Sequence, residues 1–198
     1  MWQRKLMDYL NNTIPMRGEP SCLRNGAFSL NKDYKFRKAG LLDIPFIFDL
    51  IQNGSQIGSF TEEYLTSKGW VHSLRMLILD VLAPHRNIEH GRYDIKLLLF
   101  IINNKEVGFM RIDRFTDQDI YGIDLCAIAP ENRNQKLGSQ MIRMFIEDLP
   151  SGAEVVVYCT KFSRAMQHIL KMLKFQRDKK TTVLHTERFH FTKPSNTA

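Results

Sequence analysis

The segment from Leu125 to Ser139 has the residue types and spacing of an anion-binding turn. It reads Leu-Cys-Ala-Ile-Ala-Pro-Glu-Asn-Arg-Asn-Gln-Lys-Leu-Gly-Ser, which predicts a strand, a proline stop, a polar loop and the start of a helix. The first turn of a helix has backbone N–H groups without intrahelical partners, and its dipole adds partial positive charge. Gly138 permits close approach, and Arg133 and Lys136 add positive charge. This turn is therefore a candidate site for a diphosphate group.

The elements on either side of the turn follow from the hydrophobic pattern. Residues Ile120 to Ala129 are predicted to form a strand, and Leu137 to Leu149 an amphipathic helix. Strict alternation along the strand predicts two faces, with Tyr121, Ile123, Leu125 and Ala127 on one and Gly122, Asp124, Cys126 and Ile128 on the other. Asp124 and Cys126 would then share the more polar face.

The chain before this strand predicts two helical regions and a hairpin. A strand at Tyr34 to Lys38 is followed by a helix that has Asp43 as N-cap and Pro45 in its first turn. A second helical region, from Thr61 to about Leu82, is expected to break near Gly69. The following hairpin consists of strands Ile95 to Ile102 and Val107 to Phe115, joined by the turn Asn103-Asn104-Lys105.

The chain after the anion-binding turn predicts one more helix and three strands. These elements are a strand at Val155 to Cys159, an amphipathic helix from Ser163 to Leu173, and a closing hairpin from Phe175 to Phe191 with its turn near Asp178 to Lys180. The complete order is strand, two helices, three strands, helix, strand, helix and hairpin. Such an order implies a mixed sheet with helices on its faces.

The segment Arg133 to Gly138 resembles the signature of the GNAT superfamily of N-acetyltransferases. That signature is Arg or Gln, two variable residues, Gly, one variable residue, and then Gly or Ala. Arg133 and Gly138 agree with it, whereas Lys136 occupies the position of the first glycine. The order of elements is similar over about residues 34 to 191. The resemblance implies an α/β fold of the α+β type, with a central mixed, mostly antiparallel sheet of about seven strands and helices on both faces.

The C-terminal part departs from the family pattern at three places. Many family members have an Asn-led helix with a tyrosine, followed by Gly-Phe. This chain has Ser163 for the Asn, Leu170 for the Tyr, and Lys174-Phe175 for the Gly-Phe. The tyrosine that serves as general acid in many members is therefore missing from its usual place.

The resemblance implies that acetyl-CoA is the acyl-donor cosubstrate and that a neutral primary amine attacks its thioester directly. Backbone groups of Cys126 and Ile128 would hold the pantetheine arm as a strand is held in a sheet, and one amide would polarise the thioester. The cofactor-binding residues implied in this way are Cys126, Ile128, Arg133, Asn134, Gln135, Lys136, Leu137, Gly138 and Ser139.

Three side chains are candidates for proton transfer in such a reaction. Asp124 is the candidate base, although a carboxylate at this position also suits a structural or substrate-binding role. Tyr158 and Ser163 are candidates to replace the missing acid, although an aromatic residue in a strand is commonly part of the core. Cys126 has no visible basic partner that would lower the pKa of its thiol, so we expect it to serve in packing.

Composition limits the class of protein. With 198 residues, 43% of them hydrophobic, the chain suffices for one core, and its apolar runs are too short to span a membrane. We expect an N-terminal extension at residues 1–33 with a short helix from Trp2 to Leu10, an acetyltransferase domain at 34–194, and a frayed tail at 195–198. The odd count of three dispersed cysteines suits a reduced compartment, the cytoplasm, and the histidines lack metal-ligand spacing.

Other functions stay open from the sequence alone. The domain can bind an acyl-CoA without turnover, as a regulatory module, and the substitutions Lys136 and Leu170 favour this reading. The net charge of +7, with basic residues in the N-terminal arm and the closing hairpin, also suits nucleic acid, for which tRNA is a candidate. The amine acceptor is not defined by the sequence: a small molecule, a peptide or an aminoacyl group would each fit. A homodimer is expected only from the general frequency of dimers.

Overall fold

A computed structural model describes residues 33–88, 91–115, 119–183 and 186–195 of the chain. The predicted helix from Trp2 to Leu10, Cys22 and His185 lie outside these residues. The described strands are β1 Tyr34–Lys38, β2 His85–Ile88, β3 Gly91–Ile102, β4 Lys105–Phe115, β5 Ile120–Ile128, β6 Glu154–Thr160, β7 Gln176–Val183 and β8 Thr186–Thr192. The described α-helices are α1 Ile44–Gln56, α2 Ser67–Leu82, α3 Leu137–Glu147 and α4 Arg164–Met172.

The strands form one mixed sheet in the order β1-β3-β4-β5-β6-β8-β7, and β2 pairs with the beginning of β3. Only the β5–β6 pair is parallel, and the other pairs are antiparallel. Hydrophobic clusters lie on both faces of the sheet: α1 and α2 cover one, and α3 and α4 cover the other. The predicted fold class, a mostly antiparallel mixed sheet with helices on both faces, is confirmed. Strand β2 was not predicted, because His-Arg-Asn-Ile has no apolar alternation.

The hairpin between β3 and β4 and the start of α1 agree with the sequence. Asn103 and Asn104 have φ angles of 51° and 62°, as a tight hairpin turn requires, and asparagine tolerates that region better than most residues. Pro45 lies in the first turn of α1. Asp43 occupies the N-cap position but its carboxylate does not cap the helix. It instead accepts hydrogen bonds from the Arg37 guanidinium at 2.8 Å and from the Gly40 N–H at 2.7 Å.

Two predicted boundaries were wrong. The second helical region breaks at Thr66, which is extended and caps α2 by accepting a hydrogen bond from the Gly69 N–H, so Gly69 lies inside the first turn. A side chain there would collide with the Glu63 carbonyl oxygen, which explains the glycine. The turn of the closing hairpin is not at Asp178 to Lys180, which lie within β7. Asp178 pairs across the hairpin with Arg188 and His190, and this holds the segment in the sheet.

Candidate active site

Strand β5 contains a bulge at Asp124. Its neighbour β4 pairs Arg111 with Leu125 and Ile112 with Ile123, so Asp124 is an extra residue without a partner in the register. Ile123 and Cys126 consequently pack in the core on the α3 and α4 side, whereas Leu125 packs on the α1 and α2 side. The strict alternation predicted for this strand was therefore wrong beyond Ile123, because a bulge shifts the side-chain period by one.

Strands β5 and β6 separate just after the bulge. Their parallel pairing runs only from Ile120–Glu154 to Ile123–Val157, although β5 continues to Ile128 and β6 to Thr160. A cavity of about 530 Å³ lies in and around this gap, and α3, α4 and the connection between α1 and α2 contribute to its walls. The bulge and the separation together produce a cleft within the sheet that side chains of the core do not fill.

The backbone of β5 is available along this cleft. The Ala129 N–H donates to the Val107 carbonyl at 2.9 Å, so the backbone groups of Ala129 point towards β4. Because these groups alternate along a strand, those of Ile128 and Cys126 point away from β4, into the gap. The Ile128 carbonyl accepts a hydrogen bond from Arg133 Nε at 3.1 Å. Cys126 is thus the better placed of the two predicted residues to bind an extended arm by backbone hydrogen bonds.

The turn after β5 leads to the open N-terminus of α3. Residues Pro130–Asn132 form a short 3-10 turn, and Asn134 and Lys136 have φ angles of 62° and 60° before α3 begins at Leu137. No side chain of the described residues caps this helix. The N–H groups of residues 137–139 donate no hydrogen bond within the described part of the chain. Three first-turn donors therefore remain for an anion.

Of the nine predicted cofactor-binding residues, the cavity is lined by Cys126, Ile128, Arg133, Asn134, Lys136, Leu137, Gly138 and Ser139. Gln135 is the exception: it is exposed and does not line the cavity. A side chain added at Gly138 would approach Ile169 Cδ1 of α4 to 3.0 Å, so this glycine permits close packing between α3 and α4. The structure gathers these residues around one cavity.

Both lysines that stand at glycine positions of the family pattern have left-handed backbones. Lys136 has a φ of 60°, and Lys174, at the C-terminal end of α4, has a φ of 64°. The Phe175 N–H donates to the Leu170 carbonyl at 2.9 Å, which is a typical helix C-terminal hydrogen bond. The backbone thus keeps the conformation that glycine favours, at a cost of about 1–2 kcal/mol for each lysine.

We expect Lys136→Gly and Lys174→Gly each to stabilise the fold by about 0.5–1 kcal/mol, because the relieved strain exceeds the entropy that glycine adds to the unfolded chain. Urea unfolding measures this change. Lys174→Gly is the matched control for ligand binding, since Lys174 does not line the cavity and Lys136 does. If both variants were less stable than the wild type, the lysine side chains would make contacts that offset the strain of their left-handed backbones.

Asp124 is part of a buried ionic network centred on Arg111. Arg111 donates from Nη1 to Asp124 Oδ2 at 2.6 Å and to Asp113 at 3.0 Å, and from Nε to Asp80 Oδ2 at 2.6 Å. The Arg111 side chain is 11% exposed, and that of Asp80 is fully buried. Burial opposes the charge of Arg111, but hydrogen bonds and the nearby carboxylates outweigh burial and raise its pKa above the ordinary value.

The other predicted catalytic residues also border the cavity. Tyr158 lies on β6 beyond the separation point, 47% exposed, and Ser163 lies just before α4. Leu170, at the position of the missing tyrosine, is fully buried in the core and does not line the cavity. Among the predicted candidates, Tyr158 therefore has the more accessible hydroxyl group.

The thiol of Cys126 lacks the properties of a nucleophile. Burial, with a smaller contribution from Cys159, raises the pKa of Cys126 to about 12. Both cysteines are free, and both line the cavity from opposite sides of the gap. At neutral pH Cys126 is thus a neutral, apolar thiol, as expected of a packing residue.

Residues of the connection between α1 and α2 form the far wall of the cavity, and sequence reasoning missed them. Ile57, Phe60 and Tyr64 line this wall, and Thr160 Oγ1 of β6 donates to the Gly58 carbonyl at 2.9 Å, which fixes the connection against the sheet. Glu62 and Glu63 of the same connection are exposed and do not line the cavity. The sequence signal for this wall is weak. It consists of Gly54 and Gly58, which lie on either side of the segment Ser-Gln-Ile.

Gly54 makes room for the Phe60 ring. A Cβ at this position would lie 2.5 Å from Phe60 Cε2, so the ring would have to move. We expect Gly54→Ala to lower stability by about 1–3 kcal/mol by overpacking and to raise the KM for an acceptor several-fold, while the Kd for the cofactor stays unchanged. Steady-state kinetics and calorimetry separate the two effects. A change in the Kd for the cofactor with an unchanged KM for the acceptor would contradict the expectation that this wall contacts the acceptor.

Within the described residues, no helix is both long and apolar enough to cross a membrane, and no cluster of three His, Cys, Asp or Glu side chains could hold a metal ion. No protein-family model and no curated protein matches the sequence. Solved structures, however, match it over most of its length.

Three of these structures are acetyltransferases. PaiA N-acetyltransferase from Thermoplasma acidophilum, in complex with coenzyme A, has a TM-score of 0.60 at 15% identity, and the match covers 81% of this chain and 99% of that one. A phosphinothricin acetyltransferase of the GNAT superfamily from Sinorhizobium meliloti, in complex with AcCoA, has a TM-score of 0.57 at 12% identity, over 83% and 91%. A GNAT-family acetyltransferase from Streptococcus agalactiae has a TM-score of 0.63 at 16% identity, over 82% and 96%. This chain therefore has the fold of the GNAT acetyltransferases.

Proposed function

We propose that this protein is an acetyl-CoA-dependent N-acetyltransferase that transfers the acetyl group to a primary amine in a ternary complex. The observation that carries the proposal is the open gap between β5 and β6, which leads directly to the uncapped N-terminus of α3. Solved structures of the same fold include complexes with coenzyme A and AcCoA. The free thiols of Cys126 and Cys159 are compatible with a cytoplasmic location.

The residues around the cleft suit the different parts of the donor. The N–H groups of residues 137–139 and the charges of Arg133 and Lys136 would bind the diphosphate. The backbone groups of Cys126 would bind the extended pantetheine arm, because they point into the gap. The α4 side chains that line the cavity are mostly apolar, and Met166 and Ile169 among them would cover the arm from the other side.

The donor supplies an acetyl group activated as a thioester, and the protein supplies position, charge and proton transfer. A C–N bond forms to the neutral amine while the C–S bond breaks, and the amine nitrogen loses one proton. A backbone N–H of β5 would stabilise the negative charge that develops on the acetyl oxygen. Asp124 would receive the amine proton, directly or through water, and Tyr158 would protonate the leaving thiolate. Positioning in the cleft would supply much of the acceleration.

Binding and turnover are tested separately. Calorimetry with acetyl-CoA should give a Kd at or below the micromolar range, and free-thiol release should accompany addition of a suitable amine. Ser163→Ala and Tyr158→Phe distinguish the two candidate acids, and we expect the larger fall in kcat from Tyr158→Phe. No measurable affinity for any acyl-CoA would refute the proposal.

A second candidate is a domain that binds acyl-CoA without turnover. Leu170, fully buried where many family members have the acidic tyrosine, favours this function. Tight binding of acetyl-CoA together with no thiol release across a broad panel of amines would select it over the enzyme.

A further inference from the structure

Two cavities meet at Asp124. Besides the cleft, a smaller cavity of about 140 Å³ is lined mainly by residues of α2, together with Arg111 of β4 and Asp124 and Leu125 of β5. Tyr64, Asp124 and Leu125 line both cavities. Under the proposed function, this junction lies beyond the thioester, on the side away from the α3 turn. It is therefore the position at which an acceptor amine would approach.

Charge is distributed unevenly between the two ends of the cleft. The basic side chains that line the cleft are Arg133 and Lys136 of the α3 turn and His168 of α4. At the other end, the walls include Ile57, Phe60, Tyr64 and Tyr158, and the acidic side chain among the described lining residues is Asp124. The donor end of the cleft is thus suited to anions, and the acceptor end is apolar, aromatic and acidic.

Arg111 does not change the character of the acceptor end. It borders the smaller cavity, but its Nε and Nη1 groups are occupied by Asp80, Asp113 and Asp124. His72 is the other basic side chain at that cavity. Asp124 uses Oδ2 for Arg111, and its side chain is 46% exposed. Its Oδ1 accepts no hydrogen bond from the described residues, so one oxygen remains for an ammonium group.

We infer that the acceptor is a primary amine attached to an apolar or aromatic group, without a carboxylate beside the amine. The inference rests on the proposed function and specifies its substrate class. An ammonium group would pair with Asp124 and release one proton to solvent water, and the resulting neutral amine would then be the nucleophile. A carboxylate next to that amine would lie about 4 Å from Asp124, and repulsion between like charges at that distance would weaken binding roughly 10- to 1,000-fold. Free α-amino acids are therefore expected to be poor acceptors.

Three matched probes test the class: phenethylamine, phenylalaninamide and phenylalanine. All three have the same ring and a primary amine. Beside the amine, phenethylamine has no carbonyl group, phenylalaninamide has a neutral amide, and phenylalanine has a carboxylate. With acetyl-CoA at pH 8, and rates corrected for the fraction of neutral amine, we expect kcat/KM for phenylalanine to be at least 100-fold below that for phenylalaninamide. Equal or better turnover of phenylalanine would overturn the inference. So would acetyl-CoA binding with all three probes inert.

The variant Asp124→Asn tests whether this side chain causes the discrimination. It removes one carboxylate from the network around Arg111. We expect the ratio of the kcat/KM for phenylalaninamide to the kcat/KM for phenylalanine to fall at least tenfold, mainly because the KM for phenylalanine falls. The Kd for acetyl-CoA should stay within twofold, which also verifies folding. Glu62→Gln, at an exposed residue outside both cavities, is the control for loss of one negative charge. An unchanged ratio in Asp124→Asn would overturn the inference. Failure of the wild-type protein to bind acetyl-CoA would instead refute the proposed function itself.

Discussion

Gly138→Asp should weaken acetyl-CoA binding about 100-fold or more. The new carboxylate would stand in the first turn of α3, beside the N–H groups assigned to the diphosphate. A like charge about 4 Å away costs up to about 4 kcal/mol at the dielectric constant of a protein surface. Acidic residues stabilise a helix N-terminus, so the charge itself should not destabilise α3. Calorimetry with acetyl-CoA measures the change in Kd.

Gly138→Asn is the matched control, since it has nearly the same shape without the charge. Either side chain would approach Ile169 Cδ1, which lies 3.0 Å from a Cβ at this position, and the end of that flexible side chain can shift. We therefore expect Gly138→Asn to raise the Kd only about tenfold. Equal effects of the two variants would mean that steric exclusion dominates, and an unchanged Kd in Gly138→Asp would place the diphosphate elsewhere.

The elements that produce the fold were predictable because their signals are local. Apolar periodicity identified β5 and α3, and Pro130 after β5 together with Gly138 in the first turn of α3 located the turn. The paired asparagines at 103 and 104 marked the β3–β4 hairpin. Each of these signals acts over a few residues, through side-chain spacing or backbone conformation, and does not depend on the rest of the chain.

The shape of the acceptor end was not predictable, because it depends on contacts between distant segments. The bulge at Asp124 appears only in the register against β4, and nothing in the sequence Ile-Asp-Leu marks it. The hydrogen bond from Arg111 to Asp80 joins residues that are 31 positions apart in the chain. Likewise, the wall formed by Phe60 and Tyr64 depends on how the α1–α2 connection lies against β6. Under the proposed function, these features would determine the acceptor, whereas the donor would be bound by elements that local sequence signals predict.

The contrast between donor and acceptor ends also has a physical basis. Under the proposed function, the donor end would rely on backbone groups of β5 and α3, and the backbone tolerates many sequences, as the left-handed Lys136 shows. The acceptor end relies on side chains, and each substitution there changes charge or shape directly. Low identity to solved acetyltransferases, such as 15% to PaiA, is therefore compatible with a conserved fold and a divergent acceptor.

Arg111→Met should destabilise the protein by about 3–5 kcal/mol, the largest loss of stability we expect from one substitution. The methionine fills much of the volume, but the fully buried Asp80 loses the guanidinium that lies 2.6 Å from its Oδ2. A buried carboxylate without that counter-charge incurs most of its desolvation cost. Urea unfolding followed by circular dichroism measures the free energy of unfolding.

The double variant Arg111→Met/Asp80→Asn separates a lost counter-charge from lost packing. Asparagine has nearly the shape of aspartate and no charge, so the double variant should recover about half or more of the lost stability. Asp113 and Asp124 are more exposed than Asp80 and can be solvated when Arg111 is removed. If the double variant were as unstable as Arg111→Met alone, the Arg111 side chain would stabilise the fold through packing, and the ionic network would serve mainly to hold Asp124 at the acceptor end.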